Sequence, residues 1–330
     1  MSRAVSGRWL LTALAGITVC LFAASLLMGQ TGLLGLAVTR DADADTLWLI
    51  LTAVRLPRAL LAVLVGASLG LAGAVLQGML RNPLADPAVL GPSTTAALGS
   101  VLAFYFGLSG IHPLLLPLGG IMGGLLGVGL VLGLAGRSHS ALTLILAGAA
   151  VNSLAGALTA LALNLAPNPF AALEIMFWLM GSLSDRSMDH VWLAAPFVLV
   201  GAALLATTGS ALDALALGED TARSLGVGLG GLRLRVVLGV GVAVGAAVAV
   251  AGSIGFVGLM VPHLLRPLVG QRPARLLLPS ALGGAALLLA ADLLVRVPMP
   301  GPELKVGVVT ALLGAPFFLL ILLRHRERLA

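Results

Sequence analysis

Val65-Gly-Ala-Ser-Leu-Gly-Leu-Ala-Gly73 resembles Val244-Gly-Ala-Ala-Val-Ala-Val-Ala-Gly252 position for position. A glycine-containing stretch and then a proline follow each copy, Asn82-Pro83 after the first and Val261-Pro262 after the second. Neither copy is charged, and small residues recur at the four-residue spacing that lets helix backbones approach closely in lipid. The rest of the chain has the same character. Of its 330 residues, 59% are hydrophobic and 10% charged, and the mean hydropathy is +1.09, far outside the composition of soluble domains. A spanning helix takes about 20 apolar residues, so the chain has room for about ten. The 43 glycines suit helices that pack backbone to backbone, and Gly66-x-x-x-Gly70, Gly120-x-x-x-Gly124 and Gly241-x-x-x-Gly245 share that spacing. These features predict one all-α polytopic membrane domain over residues 1–330.

Apolar runs place spans near 9–30, 59–80, 92–108, 114–136, 141–165, 190–208, 233–251, 254–268, 276–295 and 304–323. The first follows Arg3 and Arg8 but runs about 20 residues without a small-residue cleavage site, so it reads as a retained span. With these spans, Arg81, Arg137, Arg223, Arg233, Arg235, Arg266, Arg272, Arg275, Arg324, Arg326 and Arg328 share a side with Arg3 and Arg8. Arg40, Arg55, Arg58, Arg186, Arg296 and Lys305 fall on the other. The positive-inside rule then makes both termini cytoplasmic and the number of spans even. The two nine-residue copies run in opposite directions, which predicts an inverted repeat of spans 2–5 and 7–10. Such repeats are a transporter architecture, because two related halves can rock about a central path.

One polar island interrupts this pattern: Leu217-Gly-Glu-Asp-Thr-Ala-Arg-Ser-Leu-Gly226, inside a cytoplasmic connection spanning 209–232. It reads as a short helix with Glu219 and Asp220 in the first turn, Arg223 toward the far end and Gly226 as the stop. Ala222 and Leu225, three apart, are expected to share a small apolar face. A membrane protein that keeps such a helix in the cytosol has a surface for another protein.

The ionisable residues limit the energy source. Ion-coupled carriers place carboxylates or histidines near mid-membrane, whereas the acids here fall outside helix centres, Asp292 lies toward a span end, and the histidines sit near boundaries. The chain has no Gly-x-x-x-x-Gly-Lys-[Ser/Thr], and Lys305 is its only lysine, so it binds no ATP by that route. Energy is expected from a separate ATPase at the polar island. Cys20 alone supports neither a disulfide framework nor a thiolate metal site. Basic residues dispersed among apolar runs are topology signals and imply no nucleic acid. Asp41-x-Asp43-x-Asp45 has calcium-loop spacing, but Thr46 and Thr52 stand where a Gly and a Glu are needed, so it reads as a solvated outer loop. Gly91-Pro-Ser-Thr-Thr95 lacks His–Asp partners for hydrolase chemistry. No catalytic residue or metal site is assigned, and a stand-alone carrier and an intramembrane hydrolase remain the competing classes.

Four segments carry a family resemblance: Arg55-Leu-Pro-Arg58 with the helix after it; Gln77-Gly-Met-Leu-Arg-Asn-Pro-Leu-Ala-Asp-Pro87; Gly252-Ser-Ile-Gly-Phe-Val-Gly-Leu-Met-Val-Pro-His-Leu-Leu-Arg266; and Pro302 to Phe318. Trp178-Leu-Met-Gly-Ser-Leu183 and the polar island add to them. In order, from about residue 47 to 324, they resemble permeases of the FecCD family, the membrane subunits of ABC importers for ferric siderophores, haem and cobalamin. The resemblance implies a bacterial cytoplasmic membrane and two permease copies, identical or homologous. It also implies two cytoplasmic ATPases that hold ATP and Mg, an extracytoplasmic binding protein, and no cofactor on this chain. A ferric siderophore is the expected cargo, with haem or cobalamin as alternatives. By resemblance, Arg55, Arg58 and Arg296 receive glutamates of the binding protein, a role suited to the guanidinium fork. Asn82, Pro83 and Leu84, with Ser140 and Thr143, narrow a cytoplasmic gate, and Pro83 is expected to stop the second span. Gly218, Glu219, Asp220, Ala222, Leu225 and Gly226 couple to the ATPase. Lys305 stands where the family usually has proline.

Overall fold

The computed structural model describes residues 7–29, 44–136, 140–166, 168–297 and 303–326. All described secondary structure of any length is helical. Helix α1 (Gly7–Leu27) is followed by α2 (Ala44–Leu49), which passes through a π-helical stretch (Ile50–Arg55) into α3 (Leu56–Met79). Next come a 3-10 turn (Pro87–Leu90), α4 (Pro92–Tyr105), α5 (Leu108–Ile111), α6 (Leu115–Ala135), α7 (Ala141–Asn164) and α8 (Pro169–Leu179). The remainder is α9 (Met188–Ala206), α10 (Gly209–Leu215), α11 (Glu219–Ser224), α12 (Leu229–Ala251), α13 (Val257–Val269), α14 (Pro273–Val295) and α15 (Val306–Arg326). Among the described residues, seven helical rods are long and apolar enough to cross a membrane, and α13 and α15 are shorter apolar helices. With the short α4, these are the expected spans, with ends within a few residues except for the second.

That second span begins at Ala44 rather than near 59, because helix continues through the π stretch into α3. A π turn already departs from i→i−4 bonding, so Pro57, which has no N–H to give, fits where the ladder is interrupted. Helix α8 was not expected. It is a short apolar helix with Asn168 as its cap, the side chain accepting from the Ala171 N–H at 2.9 Å. Asp45 lies in the first turn of α2, while Asp41, Asp43, Arg3, Arg40, Arg137, His139, Pro302 and Arg328 lie outside the described residues.

The two repeat-bearing helices form the centre. In the most apolar window of each, 78% is buried, against 61% or less in every other candidate span. Helix α3 packs against α14, and α12 against α6, in matching register. A Cβ on Gly66 would lie 2.3 Å from the Gly284 carbonyl oxygen, and one on Gly70 2.0 Å from that of Ser280. In the other half, a Cβ on Gly124 would lie 3.1 Å from the Gly245 Cα, and one on Gly120 2.8 Å from that of Ala249. Further contacts repeat the correspondence: α4–α6 with α13–α14, α3–α13 with α12–α4, and α4–α7 with α13–α15. The copies diverge at their ends. Helix α3 continues to Met79, whereas α12 stops at Ala251, where Gly252 turns left-handed (φ 73°).

Candidate functional site

The sequence motifs gather at the two ends of this bundle. At one end, three glycine-bearing stretches cross. The Ser182 N–H donates to the Ala251 carbonyl (2.7 Å) and the Gly307 N–H to the Gly181 carbonyl (3.2 Å). A Cβ on Gly307 would lie 2.1 Å from the Met180 oxygen. Beside this crossing, Arg58, Arg296 and Arg55 come together where α1 ends and α3 begins. Arg58 Nε donates to Asp292 Oδ1 (2.8 Å) and Arg58 Nη2 to Glu303. Arg296 pairs with Asp292 four residues earlier on α14 and donates to the Ser25 carbonyl (2.7 Å) and the Met28 carbonyl (2.9 Å). Ser184 Oγ donates to Glu303 Oε1 (3.1 Å).

These contacts differ from the expected open docking surface. Arg58 and Arg296 are 6% and 3% exposed, and Asp292 is fully buried between them. Their charges are met inside the chain, as buried guanidinium groups require. Arg55 is half-buried and donates to the Leu26 (2.8 Å) and Leu27 (2.9 Å) carbonyls, which the end of α1 leaves free. Asp292 and Glu303 were missed as partners. Asp292 was legible from its i,i+4 spacing to Arg296, but Glu303 arrives from across the bundle. Lys305 does not displace Glu303, and its carbonyl accepts from the Val308 N–H (3.0 Å) as α15 begins.

Near the same end lies a cavity of about 420 Å³ between α4, α6, α8, the 185–190 turn and the end of α12. Arg186 and Trp178 line it, and the buried Arg186 Nε and Trp178 Nε1 have no acceptor among the described residues. Burial lowers the Arg186 guanidinium from its ordinary value, opposed by neighbouring Asp185.

At the opposite end, Gln77 ties α3 to α13. Its Nε2 donates to the Leu259 carbonyl (3.2 Å) and lies 3.5 Å from that of Gly258, and its Oε1 accepts from Arg266 Nη2 (2.7 Å). Pro262, within α13, has no N–H for the Gly258 carbonyl four residues earlier, so Gln77 lies beside a carbonyl the helix leaves free. Beyond Gln77, α3 ends in a Schellman turn. The Asn82 N–H reaches the Gln77 carbonyl (3.2 Å) and the Arg81 N–H that of Gly78 (3.4 Å), with Arg81 left-handed at φ 48°. Pro83 is therefore not the helix stop, since helix has ended four residues before it. Asn82 Oδ1 accepts from the Leu84 N–H (2.9 Å), closing a side-chain turn. Ser140 caps α7, its Oγ accepting from the Thr143 N–H (3.0 Å) and contacting Thr143 Oγ1 (2.6 Å). Among the described residues, no hydrogen bond joins these two gate candidates.

The polar island folds as expected and is glycine-closed at both ends. Gly218 precedes α11 at φ 112°, and Gly226 follows it at φ 82°. The Val227 N–H bonds the Ala222 carbonyl (2.9 Å) and the Gly226 N–H that of Arg223 (2.9 Å), a second Schellman turn. Glu219 Oε1 accepts from Arg233 Nη2 (2.6 Å), fastening α11 to α12, while Asp220 pairs with Arg223 (3.0 Å). Ala222 and Leu225 do not share a face: Ala222 is fully buried and Leu225 is 62% exposed. Leu225 is the non-helical C-cap, so three-residue helical spacing does not govern it. Beside it opens a cleft of about 720 Å³ lined by Arg81, Asp213, Leu217, Leu225, Arg266 and Arg272.

An apolar bundle of antiparallel helices, with an inverted repeat at its centre and a presented helix at one end, has the architecture of a membrane permease. The chain matches the FecCD transport family model over residues 14–324 and belongs to that family. It is 38% identical to the hemin transport system permease protein HmuU of Yersinia pestis, with 99% of each chain covered. It is 39% identical to the Fe(3+) dicitrate transport system permease protein FecD of Escherichia coli (strain K12), covering 84% of this chain and 86% of FecD. A solved structure described as an inward-facing metal-chelate type ABC transporter superposes with a TM-score of 0.83 at 34% identity, covering 96% of this chain and 99% of that one. The chain is thus a multi-pass membrane protein of the ABC importer permease class.

Proposed function

We propose that this permease moves a ferric siderophore from an extracytoplasmic binding protein to the cytoplasm, powered by two copies of a separate ATPase that bind ATP and Mg. The α11 end, bearing the basic cleft, faces the cytosol with both termini, and the Arg55 end faces the binding protein. A second permease copy completes the path. The observation that carries the reading is α11 itself. Two glycine-dependent turns and the Glu219–Arg233 pair hold it rigidly while Leu217, Asp220 and Leu225 stay exposed. A rigid helix presented in this way transmits motion, because an ATPase bound to it distinguishes permease states by differential contacts. The relatives' iron-containing cargoes, hemin and ferric dicitrate, support an iron complex. With Arg58 and Arg296 already paired, Arg55 is the docking arginine whose hydrogen bonds, among the described residues, go only to backbone carbonyls.

The test is uptake into proteoliposomes holding the chain and its ATPase, with loaded binding protein outside. Ferric siderophore accumulation is expected, and it should vanish when the ATPase loses its phosphate-binding lysine. Accumulation by this chain alone under a proton gradient would overturn the ABC reading. Accumulation of hemin or cobalamin instead would replace the cargo and leave the permease role standing.

A further inference from the structure

Like charges gathered in one concave place repel one another, and the cleft of about 720 Å³ beside α11 gathers three guanidinium groups. Arg81 lies just past the end of α3, Arg266 in the last turn of α13 and Arg272 immediately before α14. Arg81 and Arg272 are exposed and make no ion pair among the described residues. Arg266 is half-buried, with its Nη2 on Gln77 Oε1 (2.7 Å). Against them the cleft wall sets Asp213, whose Oδ1 accepts from the Ala274 N–H (2.8 Å) and so starts α14. The mouth also carries apolar surface, with Leu217 68% and Leu225 62% exposed, while Ala74 and Leu276 are buried deeper in the wall. Leu225 is at once a wall of the cleft and the C-cap of α11, so a protein seated on α11 reaches the mouth of the cleft.

We infer that the ATPase proposed to dock on α11 also inserts an acidic loop tip into this cleft, its carboxylate meeting Arg81 and Arg272 and its apolar flanks meeting Leu217 and Leu225. The inference rests on that docking reading and adds to it a second contact of stated charge. Exposed guanidinium forks keep their donors for a carboxylate in paired geometry. Arginine beside apolar side chains is also the composition of protein interfaces. The volume lies in the range of concave sites that enclose a ligand, enough for a loop tip bearing one acidic side chain. A free inorganic anion would make no use of the two leucines. A lipid headgroup would meet the apolar flank of the bundle, whereas the rim here is the exposed turn 270–272 and the leucines beside α11.

The experiment measures binding of the ATPase to the full chain in phosphatidylcholine nanodiscs, at low and at physiological salt. Arg81→Glu combined with Arg272→Glu should weaken binding about tenfold or more, and the loss should shrink as salt rises. Arg275→Glu, at an exposed arginine that does not line the cleft, is the control and should change binding by less than about twofold. If the reversed chain fails to fold, Arg81→Gln with Arg272→Gln removes the same two charges and should weaken binding several-fold. Lysine replacements of the ATPase's acidic residues, taken singly, should include one that restores binding to the reversed chain. Unchanged binding by the cleft variants, an equal loss in Arg275→Glu, or restoration by none of the lysine replacements would overturn the cleft contact and leave α11 as the docking site. A loss that appears only when phosphatidylglycerol is added would give the arginines to lipid and overturn it as well. Absence of binding by the unaltered chain would instead remove the docking reading itself, and this contact with it.

Discussion

Arg81 holds a backbone conformation that glycine adopts freely and other residues adopt at a cost of about 1 kcal/mol or more. It occupies the left-handed position of the Schellman turn ending α3 (φ 48°) and is exposed. Arg81→Gly should therefore leave the turn intact and raise the unfolding midpoint by an amount equivalent to about 0.5–1 kcal/mol. Arg81→Val, β-branched at positive φ, should lower it by at least as much. A thermal scan of the two variants in the same detergent checks the pair, and a midpoint drop in both would show that the arginine side chain, not the backbone, holds the turn. The side-chain chemistry was only partly legible at this scale. Arg55, Arg58 and Arg296 were correctly grouped at one end, because helix boundaries and the alternation of spans are enough to do that. Their pairing was not, because Glu303 meets Arg58 from the non-helical segment before α15, hundreds of residues away, and no local spacing records such a contact.

At the scale of elements, α11 and its flanking glycines were readable because each feature is local: acids first, a base later, glycine at each end. The division of labour within the helix was not, since the burial of Ala222 depends on the neighbouring helices α10 and α12 that pack against α11. That burial separates two substitutions. Ala222→Leu adds volume at a fully buried site and should lower the unfolding midpoint, by the equivalent of about 1–3 kcal/mol. Leu225→Ser changes an exposed residue and should leave the midpoint in place while lowering transport per ATP hydrolysed, if α11 serves the coupling role proposed above. Unfolding scans with coupled uptake and hydrolysis assays decide it, and unimpaired coupling in a well-folded Leu225→Ser would remove Leu225 from the contact. Helix α8 and the helical extension before α3 escaped the sequence reading for a shared reason. Both are runs too short or too polar at their ends to look like spans; α8 is set by its Asn168 cap, and the extension by its helical continuity with α3.

For the whole molecule, the nine-residue match became a packing rule. Its positions carry the register of the interfaces: Gly66 on Gly284 corresponds to Gly245 on Gly124, and Gly70 on Ser280 corresponds to Ala249 on Gly120. The repeat was legible because lipid-embedded helices associate by close backbone approach, which only small residues permit, so the contact leaves its record as glycine and alanine at fixed spacing. The departures, at Gly252 and after Met79, are where the halves serve different ends of the molecule. If the two interfaces are equivalents, damage to either should cost alike. Gly70→Ala places a Cβ 2.0 Å from the Ser280 oxygen, and Gly120→Ala places one 2.4 Å from Ser100 Oγ and 2.8 Å from the Ala249 Cα. Each must push two helices apart, with an expected loss of about 1–3 kcal/mol. Gly16→Ala in α1, whose Cβ would meet nothing within 4 Å, is the control and should hold or raise stability through helix propensity. Midpoints of the three variants in one lipid nanodisc give the comparison. Similar losses at Gly70 and Gly120 with none at Gly16 would support two halves packed by the same rule. A loss confined to one interface would mean that the bundle is held by one half, with the other free to move against it.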